Sequence, residues 1–320
     1  MKIVYCGCGE FGINSLDAIK GSAHELAAII THPAKPAGRG KKLRPTAVAL
    51  WAEQNSVQCF EIPNSNSPEG IDLLKKFSPD LVVVIAFGQK ISEEFIAIPS
   101  KGAINVHASL LPKYRGAAPI NWAIINGEVE TGVSIITLAQ KMDAGEILAK
   151  SIIPIADDAA ASDIHDALAV MAGPVLVDTI NGIEDGTVIY EKQDCSLATA
   201  APKLKKSDGC INFSADAVDI HNKIRGLWSW PGAQAVFLAS DKKPCEVIIA
   251  KSAVVDSAGP GEIGTLDAES NVICGRGSLK ILQIKPKGGK MMDFKAFLNG
   301  RGTGAGDRFA VDSSQEASQS

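Results

Sequence analysis

The chain has 320 residues, 46% hydrophobic and 21% charged, with a formal net charge of -4. These values exclude a disordered chain or a repeat array, and the length suggests two domains or one large domain with an appendage. No run of about 18 apolar residues occurs and the chain opens straight into KIVYC, so the expectation is a soluble cytoplasmic protein with no membrane partner. With no long apolar surface stripe evident, a monomer is expected.

The charge is unevenly spread. Residues 151–200 hold one basic and nine acidic groups, whereas 1–150 hold 15 and 14 and 201–320 hold 16 and 13, so both flanking regions are free to form basic patches. Seven cysteines at 6, 8, 59, 195, 210, 245 and 274 show no metal-ligand spacing, and free, mostly buried thiols are expected.

In chain order, KIVYC, GCGEFG (7–12) and INSLDAIK reproduce the strand, G-x-G-x-x-G and helix of a dinucleotide site. The second strand, ELAAII, ends in Thr31, His32 and Pro33, where such a site needs a carboxylate for the ribose. The glycines are therefore expected to serve a tight turn into a packed helix rather than a nucleotide. Residues 31–54 follow with Lys35, Arg39, Lys41, Lys42 and Arg44 among prolines and glycines; this is either a solvated surface loop or a segment that orders on a phosphate backbone. LVVVIAFGQKI (81–91) reads as a strand buried on both faces of a parallel sheet, and Phe87 at its end is either core or ligand wall.

GAINV delivers Asn105 and His107 two residues apart, on one face of a strand. One is an amide that can hold charge on an oxygen, the other a proton carrier near neutrality. Asp143, in the Gly-bounded turn after GVSIITL, is the acid expected to orient the imidazole. Together NVHASLLPKYRGAAPINWAI (105–124) and ETGVSIITLAQKMDAGEIL (130–148) resemble the formyltransferase family that uses 10-formyltetrahydrofolate, through N-x-H, S-L-L-P, x-x-R-G and D-x-G. The first glycine turn departs from the family's usual pattern at Cys8 and Gly9.

The resemblance covers residues 1 to about 308. It implies Asn105, His107 and Asp143 as catalytic residues, with Ser109, Leu110, Leu111 and Pro112 and the 86–88 turn (Ala86, Phe87, Gly88) on the folate. No metal is implied. Within the family, P-A-G-R-G-K-K resembles the loop of the members that act on methionyl initiator tRNA, so Arg39, Lys41 and Lys42 are expected on that tRNA, giving N-formylmethionyl-tRNA for translation initiation. Rival readings are a formyltransferase for a small amine such as a sugar nucleotide, a formyltetrahydrofolate hydrolase, and an RNA-binding module without chemistry.

Alternating strand and helix patterns to about residue 150 predict an open, mostly parallel Rossmann-like sheet, with ligands at the carboxyl ends of its strands. A long helix is expected from near Ser162, with His165 structural. Residues 194–207 lose periodicity and read as a linker whose Lys203, Lys205 and Lys206 are available to tRNA. Residues 1–193 are then the catalytic domain, and 208–308 a small C-terminal OB-like barrel that binds tRNA. Trp228 and Trp230 are expected to plug that barrel, and 309–320 to form a disordered tail.

Overall fold

The computed structural model describes residues 1–37, 42–240, 242–256 and 261–310. Its contacts define two compact units: Met1–Gly116 with Glu130–Ile153 and His165–Ala201, and Ala117–Val129 with Pro154–Ile164 and Pro202–Ser320.

In chain order the first elements are β1 (Lys2–Gly7), α1 (Ile13–Lys20), β2 (Glu25–Thr31), β3 (Lys35–Ala37), β4 (Lys42–Arg44), α2 (Ala47–Asn55), β5 (Cys59–Glu61), α3 (Pro68–Phe77) and β6 (Leu81–Ile85). They continue with α4 (Glu93–Ile96), β7 (Ala103–His107), β8 (Arg115–Gly116), α5 (Pro119–Ile125), β9 (Glu130–Thr137), β10 (Ile147–Pro154), α6 (Ala161–Asp185) and β11 (Ala200–Ala201). Seven strands make one sheet in the order β10-β9-β7-β6-β1-β2-β5. The five strands from β5 to β7 run parallel and β9 is antiparallel to β7, which is the open, mostly parallel sheet expected.

Local chemistry fixes the helix starts. The Thr46, Ser67 and Ser92 side chains accept the N–H of Ala49, Gly70 and Phe95, satisfying donors that each first turn leaves unpaired. Every residue of β6 is buried, as a strand covered on both faces requires. α6 has the length and apolarity to cross a bilayer. Its Leu168, Ala172, Leu176 and Ile180 are nevertheless 0% exposed at a four-residue spacing, the stripe of a core helix, and Gly173 lets it approach Asn14 and Ala18 of α1. The sheet order reverses between β1 and β6, so their carboxyl ends diverge and open a crevice.

The second unit contains α7 (Ala217–Leu227), β12 (Ala233–Leu238), β13 (Cys245–Val255), β14 (Val272–Ile273), β15 (Ser278–Pro286), β16 (Met292–Asp293), α8 (Phe294–Arg301) and β17 (Arg308–Phe309). Its sheet runs β14-β15-β13-β12-β17 with antiparallel pairs. Thr265 bridges to Arg308 and Leu266 to Val272, which nearly closes the expected barrel. Phe309 is 0% exposed and its ring lies 5.3 Å from Phe213 and 5.1 Å from Phe237; truncating such a side chain costs about 3–5 kcal/mol. Phe309 and buried Ala310 thus belong to the barrel and not to the tail assigned to them; the rest of that tail, 311–320, lies outside the described residues.

Two segments inside the expected catalytic domain pack with this second unit, for identifiable reasons. The Asn121 amide donates to the Gly226 carbonyl at 2.7 Å, and Gly226 lacks the Cβ that would meet Ile125, so α5 lies close on α7. Arg225, 8% exposed, donates to the carbonyls of Ala156 and Ala159 and to Asn222, tying 154–164 to the same helix. Trp230 is 53% exposed, so it does not plug the barrel; the buried residues of this turn are the Pro231, Gly232 and Ala233 that follow it.

Candidate active site

β7 ends at the carboxyl edge of the sheet with Ala103, Ile104, Val106 and His107 buried and Asn105 half-buried. Asn105 and His107 leave the same face, about 7 Å apart along the strand. The Asn105 side-chain amide makes no hydrogen bond among the described residues, so it is free for a ligand. His107 Nε2 lies 2.9 Å from the Tyr114 carbonyl oxygen. A carbonyl only accepts, so Nε2 carries the hydrogen, and in the neutral ring Nδ1 holds the lone pair.

That Nδ1 faces Asp143 Oδ1 at 3.7 Å, so the structure brings the imidazole and the carboxylate together, with Asn105 on the strand face of His107. Asp143 adopts a left-handed backbone, φ +53°, which Asp tolerates better than most residues. Its other oxygen, Oδ2, accepts the Gly116 N–H at 2.9 Å. Gly116 has φ +130° and no room for a Cβ beside Ala201, and a Cβ on Gly145 would land on the Thr137 carbonyl oxygen. The D-A-G turn therefore needs its glycine for a packing reason, and the carboxylate is aimed by the backbone on either side of it.

The following loop is fastened to β9. Buried Ser134 donates from Oγ to the Ser109 carbonyl and accepts the Leu111 N–H, while Ser109 donates to the Lys113 carbonyl. Ser109 is 0% and Leu111 1% exposed, the latter packed on Ile136 and Ile147. This corrects the expectation that all four residues of S-L-L-P line a pocket: Ser109 and Leu111 anchor the loop, and Leu110 and Pro112 keep partly open surface. Val84 pairs with Asn105, which sets the 86–88 turn beside the end of β7. Ala86 (φ +47°) and Gly88 (φ +73°) are exposed, whereas the Phe87 side chain is core, 3% exposed and stacked on His32 at 5.4 Å. The Phe87 carbonyl accepts from His32 Nε2 at 3.1 Å; burial, and then Lys35, lower the His32 pKa.

The glycines of GCGEFG answer to a different side chain. The Tyr5 ring runs beneath the turn, and a Cβ at Gly12 would fall on its hydroxyl while one at Gly7 would meet the ring at 2.6 Å. Tyr5 is 0% exposed and its hydroxyl has no hydrogen-bond partner among the described residues; burial pushes its pKa well up. Gly12 is thus explained by a buried phenol, and Gly7 by that phenol together with the Ile85 carbonyl oxygen, also 2.6 Å from the added Cβ.

Of the basic residues, Lys42 is exposed on β4, which pairs with β3 in a two-stranded hairpin carrying Lys35 and Arg44 as well. Arg39 and Lys41 lie outside the described residues. In the second unit Lys203, Lys205 and Lys206 are exposed, flanking buried Leu204. The expected linker is partly pinned: Cys195–Leu197 forms a short helix and β11 pairs with β8. All seven cysteines are free, but only Cys6 and Cys274 are buried and Cys195 is exposed.

Several residues of the site carried no assigned role from sequence: Tyr114, Arg115, Gly116, Ser134, Gln193 and Thr199. Arg115 and Gly116 stand in the x-x-R-G motif; Ser134, Gln193 and Thr199 turn their side chains on backbone groups and Tyr114 offers its own carbonyl, none of which leaves a sequence pattern.

Comparison with known proteins matches residues 1–180 to the family described as formyl transferase and 203–302 to the formyl transferase C-terminal domain. Methionyl-tRNA formyltransferase of Trichlorobacter lovleyi is 39% identical over 93% of this chain and 94% of its own length. That of Citrifermentans bemidjiense is 40% identical over 94% and 93%. Among solved structures, a sugar 3N-formyl transferase, WlaRD, determined in the presence of dTDP and 5-N-formyl-THF, superposes with TM-score 0.65 at 20% identity, over 88% of this chain and 96% of its own. An N-formyltransferase from Helicobacter canadensis in complex with folinic acid and dTDP-3-aminofucose gives 0.64 at 19%, over 88% and 98%.

Proposed function

We propose a mechanism from the premise that the chain belongs to the formyltransferase family: it transfers the formyl group of 10-formyltetrahydrofolate to the α-amine of methionine on initiator tRNA. The observation that carries the roles is His107 Nδ1 facing Asp143 Oδ1 at 3.7 Å with Asn105 on the same strand face. The amine attacks the formyl carbon, and the Asn105 amide donates to the oxyanion that forms. With Nε2 committed to Tyr114, Nδ1 is the ring atom that takes the amine proton, and the Asp143 carboxylate stabilises the imidazolium. The same proton passes to N10 of the folate as the carbon–nitrogen bond breaks, leaving tetrahydrofolate and the formamide. Leu110, Pro112 and the exposed backbone of the 86–88 turn form the folate wall.

Lys35, Lys42 and Arg44 on the hairpin grip the tRNA backbone, as do Lys203, Lys205 and Lys206, and the exposed Trp230 offers a ring for stacking. The protein works in the cytoplasm as a monomer. Alanine at Asn105, His107 or Asp143 lowers kcat in a formylation assay on charged initiator tRNA by about 10²–10⁴-fold while folate affinity holds; equal losses in both would remove these residues from the chemistry. Lys42→Ala weakens tRNA binding and reduces the salt slope by roughly 0.7–0.9, and an unchanged slope takes Lys42 off the tRNA. Full activity on a small amine, with no preference for initiator tRNA, would favour the sugar-nucleotide reading.

A further inference from the structure

Asp143 sits on a left-handed residue, a conformation that persists only where surrounding groups hold it. Its carboxylate has one fixed backbone donor, Gly116 N–H. What holds the turn itself is a side chain fifty residues on. Gln193 donates from Nε2 to the carbonyls of Asp143 at 2.8 Å and Gly145 at 2.7 Å, the two ends of the turn. Its Oε1 accepts from Arg115 at both Nε (3.1 Å) and Nη2 (2.7 Å). Only one orientation of the amide satisfies four such partners, since the guanidinium can only donate and the carbonyls only accept. Arg115 is the neighbour of Gly116, so the same amide joins both backbone segments that aim the carboxylate.

The chain around Gln193 is itself tied down on each side. Glu191 exchanges backbone hydrogen bonds with Ile147. Thr199 Oγ1 accepts the Tyr114 N–H at 2.8 Å, its carbonyl accepts the Arg115 N–H, and β11 pairs with β8 at Arg115 and Gly116. Tyr114 is the residue whose carbonyl fixes His107 Nε2. Residues 191–201 therefore form a strap bearing on both partners of the His107–Asp143 pair.

We infer that Gln193 is a positioning residue for formyl transfer, clamping the 143–145 turn through its two carbonyls so that the Asp143 carboxylate meets His107 Nδ1. The inference rests on the roles proposed above. It is specific about the amide: a carboxylate at 193 would still pair with Arg115 but would set its oxygens against two carbonyl oxygens and release the turn.

The test compares Gln193→Ala, Gln193→Glu and Asp143→Asn, singly and combined, in full-length protein with melting temperature and folate binding as controls. Both Gln193 variants lose about 10–100-fold in kcat, with KM for folate and tRNA within about twofold, and the pH profile of kcat shifts with them. In the Asp143→Asn background, Gln193→Ala costs less than about twofold more, because it acts through the carboxylate already removed. Losses that multiply across the two sites, or a Gln193→Glu enzyme with native kcat, overturn the clamp while leaving the catalytic reading intact. An Asp143→Asn enzyme with native kcat overturns both. A Gln193→Ala protein that fails to fold is replaced in the comparison by Gln193→Glu, whose Arg115 partner is retained.

Discussion

Two glycine-bounded turns follow strands of this sheet, one after a parallel strand and one after an antiparallel one, and they carry opposite lessons. GCGEFG after β1 looks like a cofactor cradle, yet its first and last glycines make room for the Tyr5 ring. The D-A-G turn after β9 is a far weaker pattern, yet it bears the carboxylate of the site. In both, glycine is required because another atom already occupies the space of a Cβ. What differs is the occupant: a buried phenol, joined at Gly7 by the Ile85 carbonyl, in one, and the Thr137 carbonyl in the other. Glycine spacing alone reports close approach, and only the approaching group tells whether chemistry is at stake.

Substitutions at these turns separate the two cases. The largest effect is expected for Gly145→Ala: the Thr137 carbonyl belongs to a strand and cannot yield, so the turn shifts and kcat falls about 100-fold while folate binding persists. Steady-state formylation kinetics check this, and native kcat would show that the position of Asp143 is not critical. Next comes Gly12→Ala, expected to cost about 1–3 kcal/mol of stability by overpacking on Tyr5, with kcat per folded molecule unchanged. Adding Tyr5→Phe should restore much of the melting temperature, because the obstructing hydroxyl is also an unsatisfied one. Failure of that rescue would mean the turn's glycines answer to something other than Tyr5. The smallest effect is expected for Gly9→Ala, whose added methyl meets only the Ala86 Cβ at an ordinary 3.4 Å; a thermal melt should move by no more than about 0.5 kcal/mol equivalent.

The sheet was readable because its central strands, above all β6, are largely apolar runs alternating with helices capped by Thr or Ser, and the pair Asn105 and His107 because a period of two puts both on one face. The carboxylate could be named from its turn. Other parts were not legible. Gln193 binds two carbonyls and a guanidinium remote in sequence, and no residue pattern marks a backbone acceptor. Ser109 and Leu111 look like pocket lining in an exposed loop until buried Ser134 is seen beneath them. The burial of Phe309 depends on how the barrel closes, through the short bridges of Thr265 to Arg308 and Leu266 to Val272. The grouping of 117–129 with the second unit rests on a glycine in α7 and an asparagine in α5, about a hundred residues apart.

The left-handed backbone at residue 143 limits what can stand there. Asparagine and glycine accept that geometry with little penalty, whereas alanine or a branched residue pays for it. Mutational drift at this position is therefore channelled toward two replacements that keep the shape of the turn and delete its charge. Either replacement, one codon change away, would keep the turn while removing the carboxylate that faces the His107 ring.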